Sequence, residues 1–413
     1  THTRSSAASD VYKRQIYLKI DGDNRATAIL PHSEMGQGAQ TALTQMLAEE
    51  MDADWDLMRF EEAPANAQYA NMAVGRGYLF KGVDFPDAVV PTVDGLMLNL
   101  ADALGMQITG GSMSIRTTGQ FFLRAAGASV REMLIKTASK AWGVPESEIR
   151  TAKSMLHHDS SGRSAPYSEF AAAAAEMTPS STPKLKKTSD FSVIGHSKPR
   201  HDIPSKVDGT AMFAMDVKRP GMVYAAVKRT PVAGGTLRRV DDSAARAMKG
   251  VIDVVKVGSS SAAGLVGTYS AGDTIAVVAD SYWRAEKALA ALKLEWNTGG
   301  KERVSSESIF EQFDRDITAG VDRANDVALG DATTAFDSAA TVLTADYRVP
   351  YLAHTCMEPP NATAEVSADR AEIWVGCQNP LGFRQHLAAN LGLDVEQVTL
   401  HNYFMGGGFG RES

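Results

Sequence analysis

Apolar and polar positions along the chain fall into short runs with two different periods. "IYLKIDGDNRATAIL" at residues 16–30 alternates apolar and polar residues on either side of Asp-Gly-Asp-Asn, the pattern of a β-hairpin with a tight polar turn. Ala39, Leu43, Met46, Leu47 and Met51 then recur at helical spacing. This predicts a helix beginning at or just after Gly38 and places Gly36, Gln37 and Gly38 of "HSEMGQG" in a strand-to-helix turn. A second helix is predicted over 118–142, where Phe122, Ala126, Val130, Met133, Leu134 and Ala141 share a face; "TGGSMS" precedes it. Residues 178–206, with "TPSSTPKLKKTSD", are too polar and proline-broken to fold alone and read as a linker. Over 207–299, strands such as "MVYAAV", "VIDVVKV" and "TIAVVAD" alternate with helical "SYWRAEKALAAL", the signature of a compact mixed α/β domain. A connecting segment with a helix follows at 300–335. The last segment, 336–413, holds strand "EIWVGC", a helix from Pro380 to Leu391, and strand "VTLHNYF" running into "MGGGFGRES". Asn379 and Pro380 suit the N-cap and first helical position, and Gly392 suits the stop. No internal repeat is visible. The expected fold class is α+β or mixed α/β.

Composition narrows the function classes. The 413 residues suggest two to four domains, and 44% hydrophobic with 22% charged residues is ordinary for a globular protein. The net charge of -7 is spread without blocks, so neither a nucleic-acid footprint nor a polybasic membrane patch is present. Cys356 and Cys377 are the only cysteines, and their separation matches no metal-ligand spacing. Any iron-sulfur cluster therefore belongs to a partner. The longest near-uniform apolar run, 170–177, is far shorter than the roughly 18–20 residues of a transmembrane helix. Residues 1–15 carry no element pattern, look more like adapter read-through than a native terminus, and are set aside from fold reasoning. Both ends of the chain look cut, and the compartment is not legible.

Three places share a design: "MGQG" at 35–38, "CQNP" at 377–380 and "GGGFG" at 406–410. The first two put a glutamine where a strand gives way to a helix, so free backbone amides and the helix dipole converge, a setting suited to an anion. The third lets a ligand approach bare backbone. Together they suggest a bulky, multiply anionic cofactor. Each alone has a plainer reading: a capped turn for "MGQG", N-capping by Asn379 for "CQNP", and a dinucleotide phosphate loop for "GGGFG".

In their order and wording, "PHSEMGQGAQTAL", "TGGSMSIRTTGQFFLRAAGASVREML", "KVDGTAMFAMDVKRPGMVYAAV", "YLAHTCMEPPNATAEV", "WVGCQNPLGFRQHLA" and "MGGGFGR" resemble the molybdopterin-binding large subunit of the xanthine oxidase superfamily, of the isoquinoline 1-oxidoreductase β-subunit type. The resemblance implies a permuted molybdopterin-binding domain, its first segment at 16–177 and its second, incomplete, at 336–413, with an α/β hammerhead domain at 207–299. It implies that Gly36, Gln37 and Gly38 bind molybdopterin cytosine dinucleotide, and that Ser112 and Ser114 belong to a second cofactor-contacting loop. Gln378 matches the glutamine that hydrogen-bonds an oxo ligand of molybdenum. Gly407, Gly408, Phe409, Gly410 and Arg411 match the loop against the cofactor, with Phe409 near metal and substrate. No protein side chain ligates the metal in this family.

The implied reaction is hydroxylation of an N-heteroaromatic or aldehyde carbon with oxygen from water. Electrons leave through a small [2Fe-2S] subunit, with a cytochrome as one candidate acceptor, and the family is often periplasmic. The family's catalytic glutamate lies in Gly-x-Gly-Glu, which occurs nowhere in this chain, so the base is absent and the chain alone is expected to be inactive. Glu34, Glu358 and Glu412 match no such position. Two alternatives stay open: a flavin- or nicotinamide-dependent oxidoreductase using "GGGFG" as its phosphate loop, and a non-catalytic assembly or binding protein of the same fold.

Overall fold

A computed structural model describes residues 17–71, 73–74, 85–86, 89–180, 182–264, 267–320 and 329–412. The leader expected at 1–15 and part of the connecting segment at 300–335 lie outside them. The chain divides into two compact units, Lys218–Ala353 and a unit that joins the chain before Lys218 to the chain after Ala353.

The expected hairpin is β1 (Leu18–Ile20) paired antiparallel with β2 (Ala26–Leu30), Leu18 opposite Ala28 and Ile20 opposite Ala26. Asp21 closes the turn by accepting the N–H groups of Asp23 and Arg25. Helix α1 (Ala39–Met51) begins directly after Gly38, whose φ of 78° is left-handed. It crosses over to β3 (Met58–Glu62), which lies parallel to β2. Helix α2 is Val90–Ala103. The helix expected at 118–142 starts earlier, as a π-helical stretch Ser114–Leu123 that continues into α3 (Arg124–Trp142). Its apolar face closes on Ala138, which is buried, whereas Ala141 is exposed. Leu43, Leu47 and Met51 of α1 share one core with Phe122, Leu123, Met133 and Leu134. The two helices pack tightly at Gly127, where an added Cβ would stand 2.5 Å from Leu47 O. A small meander follows, β4 (Arg150–Ala152), β5 (Met155–His158) and β6 (Arg163–Pro166), then α4 (Tyr167–Ala175). His157 and His158 lie in β5, and His158 is buried between Ser161 and Glu148.

The expected linker at 178–206 has little regular structure beyond α5 (Ile203–Asp208), yet it is bound to the first unit as a strap. Glu49 of α1 accepts the N–H groups of Ser192, Val193 and Ile194 and the ammonium of Lys186. Burial alone would raise the Glu49 carboxyl, but these donors hold it below its usual value. Glu50 accepts Lys186 N and Arg124, and Val193 enters the core.

The second unit begins at Lys218 rather than 207. It contains β7 (Tyr224–Arg229), β8 (Thr236–Asp241), β9 (Val251–Lys256), β10 (Ser260–Gly264), β11 (Gly267–Ala271), β12 (Thr274–Ala279), α6 (Tyr282–Ala290) and β13 (Lys293–Asn297). In the order β7-β12-β9 the central β12 turns Ile275, Val277 and Ala279 into one core with Ala285, Ala288 and Leu289 of α6. Strands β8 and β13 pair, as do β10 and β11. Helices α7 (Ser306–Ala319) and α8 (Ala332–Ser338), with the chain to Ala353, also group with this unit, so the last segment rejoins the first unit at His354 instead of 336.

That last segment contains β14 (Ala362–Val366), β15 (Ala371–Val375), α9 (Pro380–Leu391) and β16 (Val398–Asn402). Strand β14 is antiparallel to β15, and β15 is parallel to β16 across α9. This repeats β1-β2-α1-β3 element for element, including a short 3-10 turn before the last strand, at Trp55–Leu57 and at Val395–Gln397. A repeat is therefore present that the sequence does not display. What β2 and β15 share is near-continuous burial broken only at the second residue, while their residues differ after the first alanine. Among the described residues no helix is long and apolar enough to cross a membrane.

Candidate functional site

Ligands of open α/β sheets bind beyond the carboxyl ends of parallel strands. Here both parallel pairs, β2/β3 and β15/β16, end at the same place. Ser33, just past β2, donates to Cys377 O just past β15 (2.9 Å). Asn402 at the end of β16 donates to Ser33 Oγ (2.8 Å), to Cys377 O (3.1 Å) and to Glu62 at the end of β3. Burial pushes the Glu62 carboxyl up to about 7, against the hydrogen bonds of Asn402, Ser33 and Gln40. His32 lies in the same layer, bonded to Thr118 (2.8 Å) and Ser114 (3.1 Å), and burial lowers it to about 3, so it is neutral. The two repeats are thus stitched by a polar layer.

Above this layer Gln378 ties two loops together. Its Nε2 donates to Thr109 O (2.7 Å), and its Oε1 accepts from Gly410 N (2.9 Å). Its own carbonyl accepts Thr109 N, and its N–H reaches Glu412 O. Thr109–Ser112 and Gly406–Arg411 are therefore neighbours. Among the described residues, the amides of Gly110, Gly111, Ser112, Gly407, Gly408 and Phe409 make no hydrogen bond within the chain. Gly407, Phe409, Gly111 and Ser112 are all held at positive φ, and Phe409 is 66% exposed. Gly408 leaves no free space for a side chain: a Cβ would overlap Met35 Sδ, which would have to move aside, and stand 3.0 Å from Gln378 Oε1. The loop is pinned from below, because Gly406 N donates to Glu358, Met215 N donates to the same carboxylate, and Met405 N donates to Glu34 O.

The "MGQG" turn departs from expectation. Its amides are engaged by a carboxylate of the chain itself: buried Glu34 accepts Gly36 N (3.0 Å), Gly38 N (2.8 Å) and Gln40 N (3.3 Å). The Gln37 carboxamide folds back onto Met35 N and Ser33 O. The helix N-terminus favours an anion as its dipole requires, but the anion is Glu34. At the equivalent turn of the second repeat, Asn379 occupies the N-cap position without capping α9; its Oδ1 accepts Gln107 N instead. "GGGFG" follows the second strand of a βαβ unit rather than its first turn, where Cys377-Gln378-Asn379-Pro380 stands, so the dinucleotide fingerprint is out of place.

Residues 314–412 match the model of the molybdopterin cofactor-binding domain family. Over 96% of the chain the sequence is 30% identical to the beta chain of isoquinoline 1-oxidoreductase from Brevundimonas diminuta, of which it covers 50%. Over 99% it is 28% identical to a membrane-bound aldehyde dehydrogenase of Gluconacetobacter polyoxogenes that is named for pyrroloquinoline quinone, covering 48% of that protein. Over 96% it is 25% identical to a nicotinate dehydrogenase component of Pseudomonas putida KT2440, covering 30%. The chain is therefore homologous to the isoquinoline 1-oxidoreductase beta subunit and carries a region that matches the molybdopterin cofactor-binding domain family. It spans half the length or less of these relatives.

The residues present fit a flat, anionic group laid against backbone. Unpartnered amides lie on both sides of Gln378, and at Gly36 and Gly410 the space a Cβ would take is open. Of the residues expected from the resemblance, Ser112, Gln378, Gly407, Gly408, Phe409, Gly410 and Arg411 meet here, and Met35 brings the neighbouring turn against Gly408, whereas Gly36 donates to Glu34 within that turn. Ser114 is buried under the site as a partner of His32, and Gln37 and Gly38 are engaged within their own turn. Among the described residues no cluster of His, Cys, Asp and Glu could hold a metal ion. Sequence reading missed Glu34, Thr109 and Arg200. Arg200 was hidden in the supposed linker, although an arginine between two prolines and an aspartate is a cue that the stretch carries more than spacing.

Proposed function

We propose that this chain forms the cofactor cradle of a molybdenum hydroxylase large subunit, which oxidises an N-heteroaromatic or aldehyde carbon with oxygen from water and passes electrons to a small [2Fe-2S] subunit. The observation that supports this most is the meeting of Ser112, Gln378 and Gly407–Arg411, far apart in sequence, at the ends of two pairs of parallel strands. When bound, molybdopterin cytosine dinucleotide supplies the two-electron oxidation. The chain's own part is to bind and orient. The free amides at 110–112 and 407–409 serve as donors to phosphate and pterin oxygens, and the Arg411 guanidinium adds charge at the same rim. Gln378 uses one Nε2 hydrogen on Thr109 O and keeps the other for a ligand. The exposed Phe409 ring offers a flat apolar face to a heteroaromatic substrate. Glu34 and Glu358 are fully engaged with backbone donors and serve as braces. Burial and then Glu358 push the Glu412 carboxyl up to about 7.

Elemental analysis of the purified protein, with fluorescence of its oxidised pterin and assay of released cytidine monophosphate, tests the reading. Molybdenum and pterin in equal amounts are expected. Neither of them, or a flavin or quinone in their place, overturns it.

A further inference from the structure

The strap residues after 199 hold the cradle from beneath at three points. Arg200 donates to Gly36 O (3.1 Å) and to Glu34 Oε1 (3.3 Å), and its guanidinium lies 3.4 Å from the space a Cβ on Gly38 would occupy. Asp202, buried, fixes that guanidinium with two bonds (2.9 and 2.6 Å) and is itself held by Lys206 (2.7 Å). Lys206 in turn lies 4.6 Å from the ring of Phe404, next to the glycine loop. Met215 shares Glu358 with Gly406. Glu34 links the two sides, its carboxylate filling the N-terminus of α1 and its carbonyl accepting Met405 N, while Met35 packs on Gly408.

We infer that Arg200 is a positioning residue of the cradle: through Glu34 it locks the Met35–Gly38 turn against the glycine loop, so that the chain's own carboxylate, not a phosphate of the ligand, is the anion of that turn. This rests on the proposed reading of the cradle as a molybdopterin site. The guanidinium is suited to the task because its fork bonds Asp202 with two nitrogens while still reaching Glu34 and Gly36 O, which a single ammonium cannot do.

The test compares Arg200→Met and Arg200→Lys with the parent holoprotein by three measurements: molybdenum and pterin per chain, hydrogen exchange at the Gly36 and Gly38 amides, and melting temperature. Arg200→Met is expected to lose about ten-fold in retained cofactor, the scale of lost outer partners of a bound group. It should exchange faster at Gly36 and Gly38, with little change in the melt, and Arg200→Lys should recover cofactor only in part. Full cofactor retention with unchanged exchange at those amides overturns the inference, as does a general loss of exchange protection across the unit. If the parent itself holds neither molybdenum nor pterin, the proposed function fails, and the clamp is judged on exchange alone: faster at Gly36 and Gly38 supports it, unchanged refutes it. Should Arg200→Met fail to fold, Arg200→Lys carries the same comparison.

Discussion

Glu62 and His32 lie in one buried polar layer and respond to pH in opposite senses. The Glu62 carboxyl is raised to about 7, so the folded state binds that proton more tightly than the unfolded chain does; its penalty is nil below the ordinary carboxylate value and grows as pH rises toward 7. His32, lowered to about 3, resists protonation when folded, so stability falls as pH drops below the ordinary histidine value. Glu62→Gln should therefore stabilise the protein at pH 7.5 by roughly 1 kcal/mol, discounted for partial solvent access, and the gain should shrink as pH falls and vanish by about pH 4. Thermal melts across that range check it, with the difference from the parent isolating Glu62 from His32. Gly408→Ala drives a methyl into Met35 and Gln378. It should destabilise by about 1 kcal/mol, because Met35 can yield, while lowering the molybdenum content more than the melt does.

Helix α1 holds the site at its first turn and the strap at its last. Glu49→Ala removes the acceptor of three strap amides and of Lys186, leaving buried donors unpaired, and should cost about 3 kcal/mol in denaturant unfolding. Limited proteolysis should then cut within 178–198 before the core opens. The crossing of α1 and α3 is equally exacting. Gly127→Ala places a methyl 2.5 Å from the backbone oxygen of Leu47, so the helices must separate, for about 2 kcal/mol. Gly119→Ala meets only the side chains of Met46 and Leu43 and should be milder. Melting of the two variants in parallel tests the contrast.

On the scale of the whole molecule, the two units have separate cores, one around Leu43, Leu47 and Leu134, the other around Ile275 and Val277. Residues 218–299 expressed alone should melt cooperatively, and Glu49→Ala in the full chain should leave that transition in place; circular dichroism decides both. What the amino-acid order determined by itself is local: the hairpin before Leu30, the helix that starts after Gly38, the strands of the second unit, and the helix from Pro380 that stops at Gly392 with φ of 68°. Period, caps and turn residues act between near neighbours and are visible in any short window. The strand order, the doubled β-β-α-β unit, Glu34 standing in for an external anion, Asn379 turning from its own helix to Gln107, and the strap that became part of the site were decided only by tertiary structure. Each depends on groups far apart along the chain, 344 residues for Ser33 with Cys377 and 166 for Glu34 with Arg200, and a polar side chain has several partners of equal chemical merit until folding leaves one within reach.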